Sequence, residues 1–315
     1  MASAVRCAMR CLPGRTYSMT TLLSRVRRSK EIEGFLFILP YTVIWLVFLV
    51  SPVVYGFYIS LFKWQPLLGS EFIGLKNYIN LFHDLRFWNA FRNTVWFAAL
   101  TIPLILGIGL LFALILRGLG KWKGGGLIES AFFYPYLLNV SIISIVWKWL
   151  LDPDFGLVLS YLEAIGIDPP HFLNHPFWVV PAIAFATAWW LAGYRMVIFK
   201  AAMEDIPPEI YEMAEIDGVN VFSRFLRITL PLLKPAILFS LVLTAISAFR
   251  VLGQVLMMTA GGPGRSSEVL ALYLFRAGWQ ALEMGKAAAI GFILFLVILV
   301  FTLLGFRFLG FESEL

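Results

Sequence analysis

The chain has 315 residues, 60% of them hydrophobic and 14% charged, with a formal net charge of +6. One or two soluble domains would be the default for this length, but a lipid-crossing helix needs about 20 mostly apolar residues and such runs recur throughout. The positive charge gathers at the ends of these runs and not on one amphipathic face, which argues against a nucleic-acid-binding surface.

Residues 1–33 form a basic tail, with Arg6, Arg10, Arg15, Arg25, Arg27, Arg28 and Lys30 ahead of the first acid. Lys and Arg are enriched on the cytoplasmic flanks of membrane helices, so this tail is expected inside. An Arg-rich, acid-free start also fits an organellar transit peptide, yet the positive-inside rule accounts for it without one. The only cysteines, Cys7 and Cys11, lie here, so no disulfide framework holds the loops.

Apolar runs at 34–62, 93–116, 130–147, 177–194 and 287–306 carry no charge and a further one at 235–258 is broken only by Arg250, which predicts six spans at about 34–62, 94–116, 130–150, 177–199, 235–259 and 287–307. Together they make up a membrane domain over 34–308, closed by a short cytoplasmic tail at 309–315. Arg117, Lys121 and Lys123 follow the second span and fall inside, whereas the loop after the third span carries Asp152, Asp154, Glu163 and Asp168 without Lys or Arg and fits the outside. Both termini are therefore expected in the cytoplasm. Between the first two spans, Phe72 to Thr94 is too polar to cross but rich in aromatics, the composition of a short helix at the outer interface. Gly124-Gly125-Gly126 predicts a tight inner turn, and Pro153, Pro169, Pro170 and Pro176 forbid one continuous helix in the third outer loop.

The segment 200–234 is the most polar between two spans. Six acids fall between Glu204 and Asp217. Pro207-Pro208 can start a helix, since an N1 proline lacks only an N–H that would be unpaired anyway, and Glu209, Glu212 and Glu215 follow near the positive end of its dipole. Gly218 sits where that helix must stop and reverse. Phe222, Phe225, Leu226 and Ile228 then form an apolar stripe beside Arg224 and Arg227, ended by Pro231 and Pro235. Composition alone leaves an ordinary solvated loop as an equal alternative.

Polar groups within the spans matter because ionisable residues in a bilayer usually face a cavity or a partner. In the fifth span Thr244, Ser247, Val251 and Gln254 share a face by 3.6 periodicity, with Arg250 at its edge; in the fourth, Thr187, Trp190, Leu191 and Tyr194 do so. Their hydroxyl, amide, guanidinium and aromatic groups make Thr187, Trp190, Tyr194, Thr244, Ser247, Arg250 and Gln254 candidate path residues, with helix packing the competing reading for each. Glu129 and Lys148, at the edges of the third span, read as snorkelling interfacial charges.

No catalytic constellation is present. Gly124-Gly125-Gly126-Leu127 is not a P-loop, so the triplet is no phosphate cradle. His171 and His175 have metal-ligand spacing, but prolines bracket them and no third ligand is near, so no metal site is expected.

Glu212-Met213-Ala214-Glu215-Ile216-Asp217-Gly218, followed by Ile228-Thr229-Leu230-Pro231, resembles the EAA motif of the membrane subunits of binding-protein-dependent ABC importers. Met213 departs from the usual first Ala, and Val219 stands where Ala is usual. FIGLKNYINLF with FWNAFRNT resembles the first outer loop of carbohydrate permeases, and MTAGGPGRSSEVLALYLFRAGW with Gly285-Lys286-Ala287-Ala288-Ala289 resembles their region between the fifth and sixth spans, in the MalF or UgpA type and not its MalG-like partner. The resemblance runs from about Glu33 to Phe308. It implies an all-α integral membrane fold of six spans, a MetI-like permease core of the type I ABC importers. It further implies a second homologous permease, two ATPase subunits that bind ATP and magnesium, and an extracytoplasmic solute-binding protein. Glu212, Ala214, Asp217 and Gly218 would dock the ATPase, and this chain would hold no cofactor. Oligosaccharide, disaccharide and glycerol phosphate all fit as cargo. The rival class, an ion-coupled secondary transporter, would need intramembrane carboxylates that spans one, two, five and six lack.

Overall fold

The computed structural model describes residues 34–67, 69–119, 122 and 124–309. The basic tail with Cys7 and Cys11, Lys121, Lys123 and residues 310–315 lie outside the described residues. The chain divides into two compact units, Met1–Gly56 and Phe57–Leu315.

Helix α1 occupies Gly34–Ser60, with a π-helical turn at Leu46–Val50 just ahead of Pro52, which has no N–H to continue the ordinary pattern. Past it, strands β1 (Phe62–Gln65) and β2 (Gly69–Phe72) form an antiparallel hairpin in which Phe62 faces Phe72 and Lys63 faces Glu71. An all-helical reading does not anticipate this hairpin. Its four-residue strands are too short to show an alternation above noise, and the Phe62 and Phe72 rings, edge to face at 5.2 Å, hold it through a cross-strand contact.

The expected interfacial helix over 72–94 is divided. Helix α2 (Lys76–His83) is short, and residues from Leu85 onward belong to α3 (Leu85–Leu119). Asp84 makes the boundary by accepting the Arg86 amide hydrogen on Oδ1 at 2.9 Å, a side-chain cap on the new helix. At 35 residues α3 is about 50 Å long, well beyond a hydrocarbon core of about 30 Å.

The third span is also not one helix. Helices α4 (Gly125–Leu137) and α5 (Val140–Leu150) meet at 100°. Pro135 weakens the last turn of α4, Asn139 Oδ1 caps α5 by accepting the Ser141 amide at 2.9 Å, and Trp190 Nε1 donates to the free Leu138 carbonyl at 3.1 Å. A short helix, α6 (Leu157–Ala164), fits between the prolines of the next loop.

Helix α7 (Val179–Glu204) is the axis of this unit. Small residues along it, Ala184, Ala188 and Ala192, are fully buried against neighbouring helices. A Cβ at Gly193 would stand 2.2 Å from the Phe132 carbonyl oxygen of α4, and one at Gly109 of α3 would stand 2.8 Å from the Arg195 Cβ; glycine at both positions lets the backbones approach. After α7 come α8 (Pro208–Ile216) and α9 (Val221–Leu232), the latter bent 68° from α10 (Lys234–Phe249). Helices α11 (Gly253–Met258), α12 (Leu270–Phe275) and α13 (Met284–Leu309) complete the chain.

Four described helices are long and apolar enough to cross a membrane, α1, α3, α7 and Met284–Arg307 of α13, and the count reaches six if each bent pair, α4 with α5 and α9 with α10, is one span.

Candidate docking loop and mid-span polar groups

Helix α8 starts as its sequence dictates, with Pro207 at the N-cap, Pro208 at N1 and Glu209 in the first turn. It ends in a Schellman motif: Gly218 N–H donates to the Glu215 carbonyl at 3.1 Å and Val219 N–H to the Ala214 carbonyl at 3.0 Å. Gly218 has φ +70°, and no atom lies within 4 Å of a Cβ built there, so backbone conformation and not lack of room requires glycine. Asn220 then caps α9 by accepting the Ser223 amide on Oδ1 at 2.7 Å. The expected apolar stripe is not a buried one: Phe222 and Leu226 are exposed, and the chain passes through a π-helical turn at Phe225–Thr229 before Pro231.

Glu212, Asp217 and Gly218 of this loop are exposed, while Ala214 is buried. The inward side is fixed by Tyr211, three residues before Ala214. Its hydroxyl accepts from Arg117 Nη1 at 2.8 Å and lies 3.3 Å from Thr229 Oγ1, and the Arg117 guanidinium sits 4.0 Å from the ring centre. Tyr211 thus ties α8 to the end of α3 and to α9. Sequence reasoning passed over it, because its partner Arg117 lies 94 residues away in the chain. Glu129, expected as a snorkelling charge, pairs instead with Lys200 at 2.6 Å and joins α4 to α7. A cavity of about 650 Å³ opens here, lined by Arg117, Glu129, Lys200, Tyr211, Glu212 and Glu215.

The mid-span candidates do not gather on two clean helix faces. Helix α10 ends at Phe249, so Arg250 is an exposed residue at a break, and the buried Gln254 belongs to α11. Gly253 marks that break, since a Cβ there would be 2.9 Å from the Val140 side chain. Thr187 Oγ1 donates to its own helix at the Ile183 carbonyl, 2.7 Å, and Ser247 Oγ to Leu243, 2.9 Å, but Thr187 is buried and Ser247 exposed. Trp190 is engaged with Leu138, and the half-buried Tyr194 stacks on Tyr136 at 4.8 Å. Thr244 Oγ1 accepts from Arg195 Nε at 2.8 Å. Among the described residues of the spans, Arg195 is the buried cation, and the uncharged run ending at Tyr194 stops one residue short of it.

At the opposite end of this unit, the loop after α11 is tethered to α3. Glu268 is fully buried and receives Arg86 Nε at 2.9 Å, Arg86 Nη2 at 2.6 Å and Arg276 Nη1 at 2.6 Å. Burial alone would raise its carboxyl, but these bonds and charges hold it below the ordinary value. Asn93 Nδ2 donates to the Arg265 and Glu268 carbonyls, both at 3.1 Å, and Thr94 Oγ1 accepts the Leu270 amide at 2.8 Å. Tyr273 donates its hydroxyl to Asp84, and burial together with that bond raises the phenol. The stretches FWNAFRNT and MTAGGPGRSSEVLALYLFRAGW are therefore in direct contact.

This chain is 32% identical over 292 residues to the lactose transport system permease protein LacF of Rhizobium radiobacter, covering 91% of this chain and 97% of that one. It is also 32% identical over 283 residues to the trehalose/maltose transport system permease protein MalF of Thermococcus litoralis, covering 90% and 95%. Its fold superposes with a TM-score of 0.76 on a chain of a bacterial ABC transporter involved in the import of the acidic polysaccharide alginate, at 25% identity over 93% of this chain and 99% of that one. Residues 24–310 match the family model, and the chain belongs to the binding-protein-dependent transport system inner membrane component family.

Proposed function

We propose that this protein is the membrane-spanning subunit of an ATP-driven importer for a carbohydrate, working with a second permease, two ATPase subunits that bind ATP and magnesium, and a solute-binding protein outside. The observation that carries the reading is the α8 loop: an exposed acidic helix, stopped by Gly218 and held to α3 through Tyr211, in a chain of this family. ATP-driven closure of the ATPase pair pushes on Glu212, Asp217 and Gly218. The Tyr211 to Arg117 contact passes that push to α3, and the bend between α9 and α10 passes it to the helix bearing Thr244 and Ser247. The chain performs no bond chemistry. Exposed Ser247 and Arg250 and half-buried Trp190 and Tyr194 are the path residues this arrangement favours, and both termini lie in the cytoplasm.

The test is uptake into proteoliposomes holding the full complex, with binding protein outside the vesicle and ATP inside. Saccharide accumulation that needs ATP and survives ionophores is expected. Accumulation that collapses with an ion gradient and ignores ATP would instead establish the secondary-transporter class.

A further inference from the structure

Arg195 lies nine residues before the end of α7 at Glu204, about 14 Å along a helix of 1.5 Å rise per residue, and so falls within a hydrocarbon layer of about 30 Å. It is 4% exposed. A guanidinium keeps its charge at every relevant pH, and a buried charge demands an opposite partner. Here Nε donates to the neutral Thr244 hydroxyl at 2.8 Å and the guanidinium sits 4.9 Å from the centre of the Tyr194 ring, while Nη1 is buried with no acceptor. Among the described residues no carboxylate pairs with Arg195. A hydroxyl and a ring face do not balance a full charge removed from water.

We infer that an anionic group completes this site and that it comes from the cargo: a carboxylate, sulfate or phosphate on the transported saccharide, which makes the substrate an acidic sugar. This rests on the importer reading above. The surroundings favour cargo over an acid of the second permease. Tyr194, whose ring the guanidinium adjoins, is half-buried and stacks on half-buried Tyr136. Tyr136 stands in the last turn of α4, at the 100° break before Asn139, and irregular backbone at membrane depth is tolerated where it is enclosed in protein or lines a water-filled cavity. Paired aromatic rings beside a forked donor offer a charged sugar both stacking area and a bidentate anchor.

The experiment measures uptake by the reconstituted full complex of glucuronate-containing disaccharides, their neutral glucose counterparts and glycerol 3-phosphate. Wild-type complex should import an acidic member in preference to its neutral twin. Arg195→Gln should lower acidic uptake about ten- to a hundredfold, the loss of a charged hydrogen bond, while complex assembly and ATP hydrolysis stimulated by the binding protein persist; Arg195→Lys should recover part of the uptake. Import confined to neutral sugars, or equal loss of both classes in Arg195→Gln, would overturn the inference and leave the importer reading standing. If neither variant assembles with the second permease, Arg195 pairs with that subunit, and the inference also fails. Absence of ATP-driven uptake of every acidic probe by wild type would overturn the inference, while stimulation of ATP hydrolysis by the binding protein in the same complex decides the importer reading separately.

Discussion

Arg86 and Glu268, 182 residues apart, are joined by two hydrogen bonds of 2.9 and 2.6 Å, and Arg276 adds a third to the same buried carboxylate. The loop after α11 therefore has a fixed position on α3. Arg86→Ala leaves Glu268 with one guanidinium, and because the lost bonds are charge-assisted it should destabilise the complex by about 1.5–3 kcal/mol, seen as a lower unfolding midpoint in detergent. An unchanged midpoint would mean the pair contributes nothing to folding.

The same carboxylate fixes a pH dependence. Its folded value is depressed, so its contribution is fully present above the ordinary carboxylate range and is lost only as the pH falls through that depressed value. Protection of the 259–268 loop from proteolysis should persist in mildly acidic buffer and fade only below the carboxylate range in wild type. In Glu268→Gln it should be weaker and flat across that range. Loss of protection on going from neutral to mildly acidic pH would contradict the assignment.

Gly218 ends α8 at φ +70° with open space around its missing Cβ, so substitutions there should rank by backbone tolerance alone. Asn should cost least, Ala about 1 kcal/mol, and the β-branched Val more. ATPase co-purification and stimulated hydrolysis should fall in that order. A ranking by side-chain size, with Asn worse than Ala, would point to steric contact instead.

Among the path candidates, exposure separates two classes. Ser247→Ala and Arg250→Ala should change uptake rate or apparent affinity, since both side chains are exposed, whereas Thr187→Val, whose hydroxyl serves its own helix, should leave uptake unchanged. The reverse pattern would place the path along the Thr187 face of α7 and away from the end of α10.

Orientation follows from charge asymmetry. Single cysteines at Asp154 and Arg265, both exposed, should react with an impermeant thiol reagent added to intact cells, and one at Asp217 should not. Labelling at Asp217 would invert the topology.

Much of the helical architecture was legible because apolar runs of span length carry their own signal, and the Pro207-Pro208 start and Gly218 stop of α8 follow from backbone chemistry. The breaks were harder to see. Pro135 with Asn139 and Arg250 with Gly253 lie inside apolar runs, where hydropathy averaged over a window hides a local capping residue or a glycine at a close contact. Arg195 escaped because a run defined by absence of charge ends at the residue before the charge. Tyr211 escaped because its role depends on Arg117, 94 residues away, a pairing no local pattern encodes.

The central claim is that the exposed face of α8 meets the ATPase subunit, and site-directed disulfide trapping tests it most directly. In the assembled complex, cysteines placed at Glu212 and at Asp217 should each crosslink to a cysteine scan of the ATPase surface, and a cysteine at Ala214, buried against the chain's own helices, should not. Crosslinking at Ala214 with none at Glu212 or Asp217, in a complex that still hydrolyses ATP, would contradict the account.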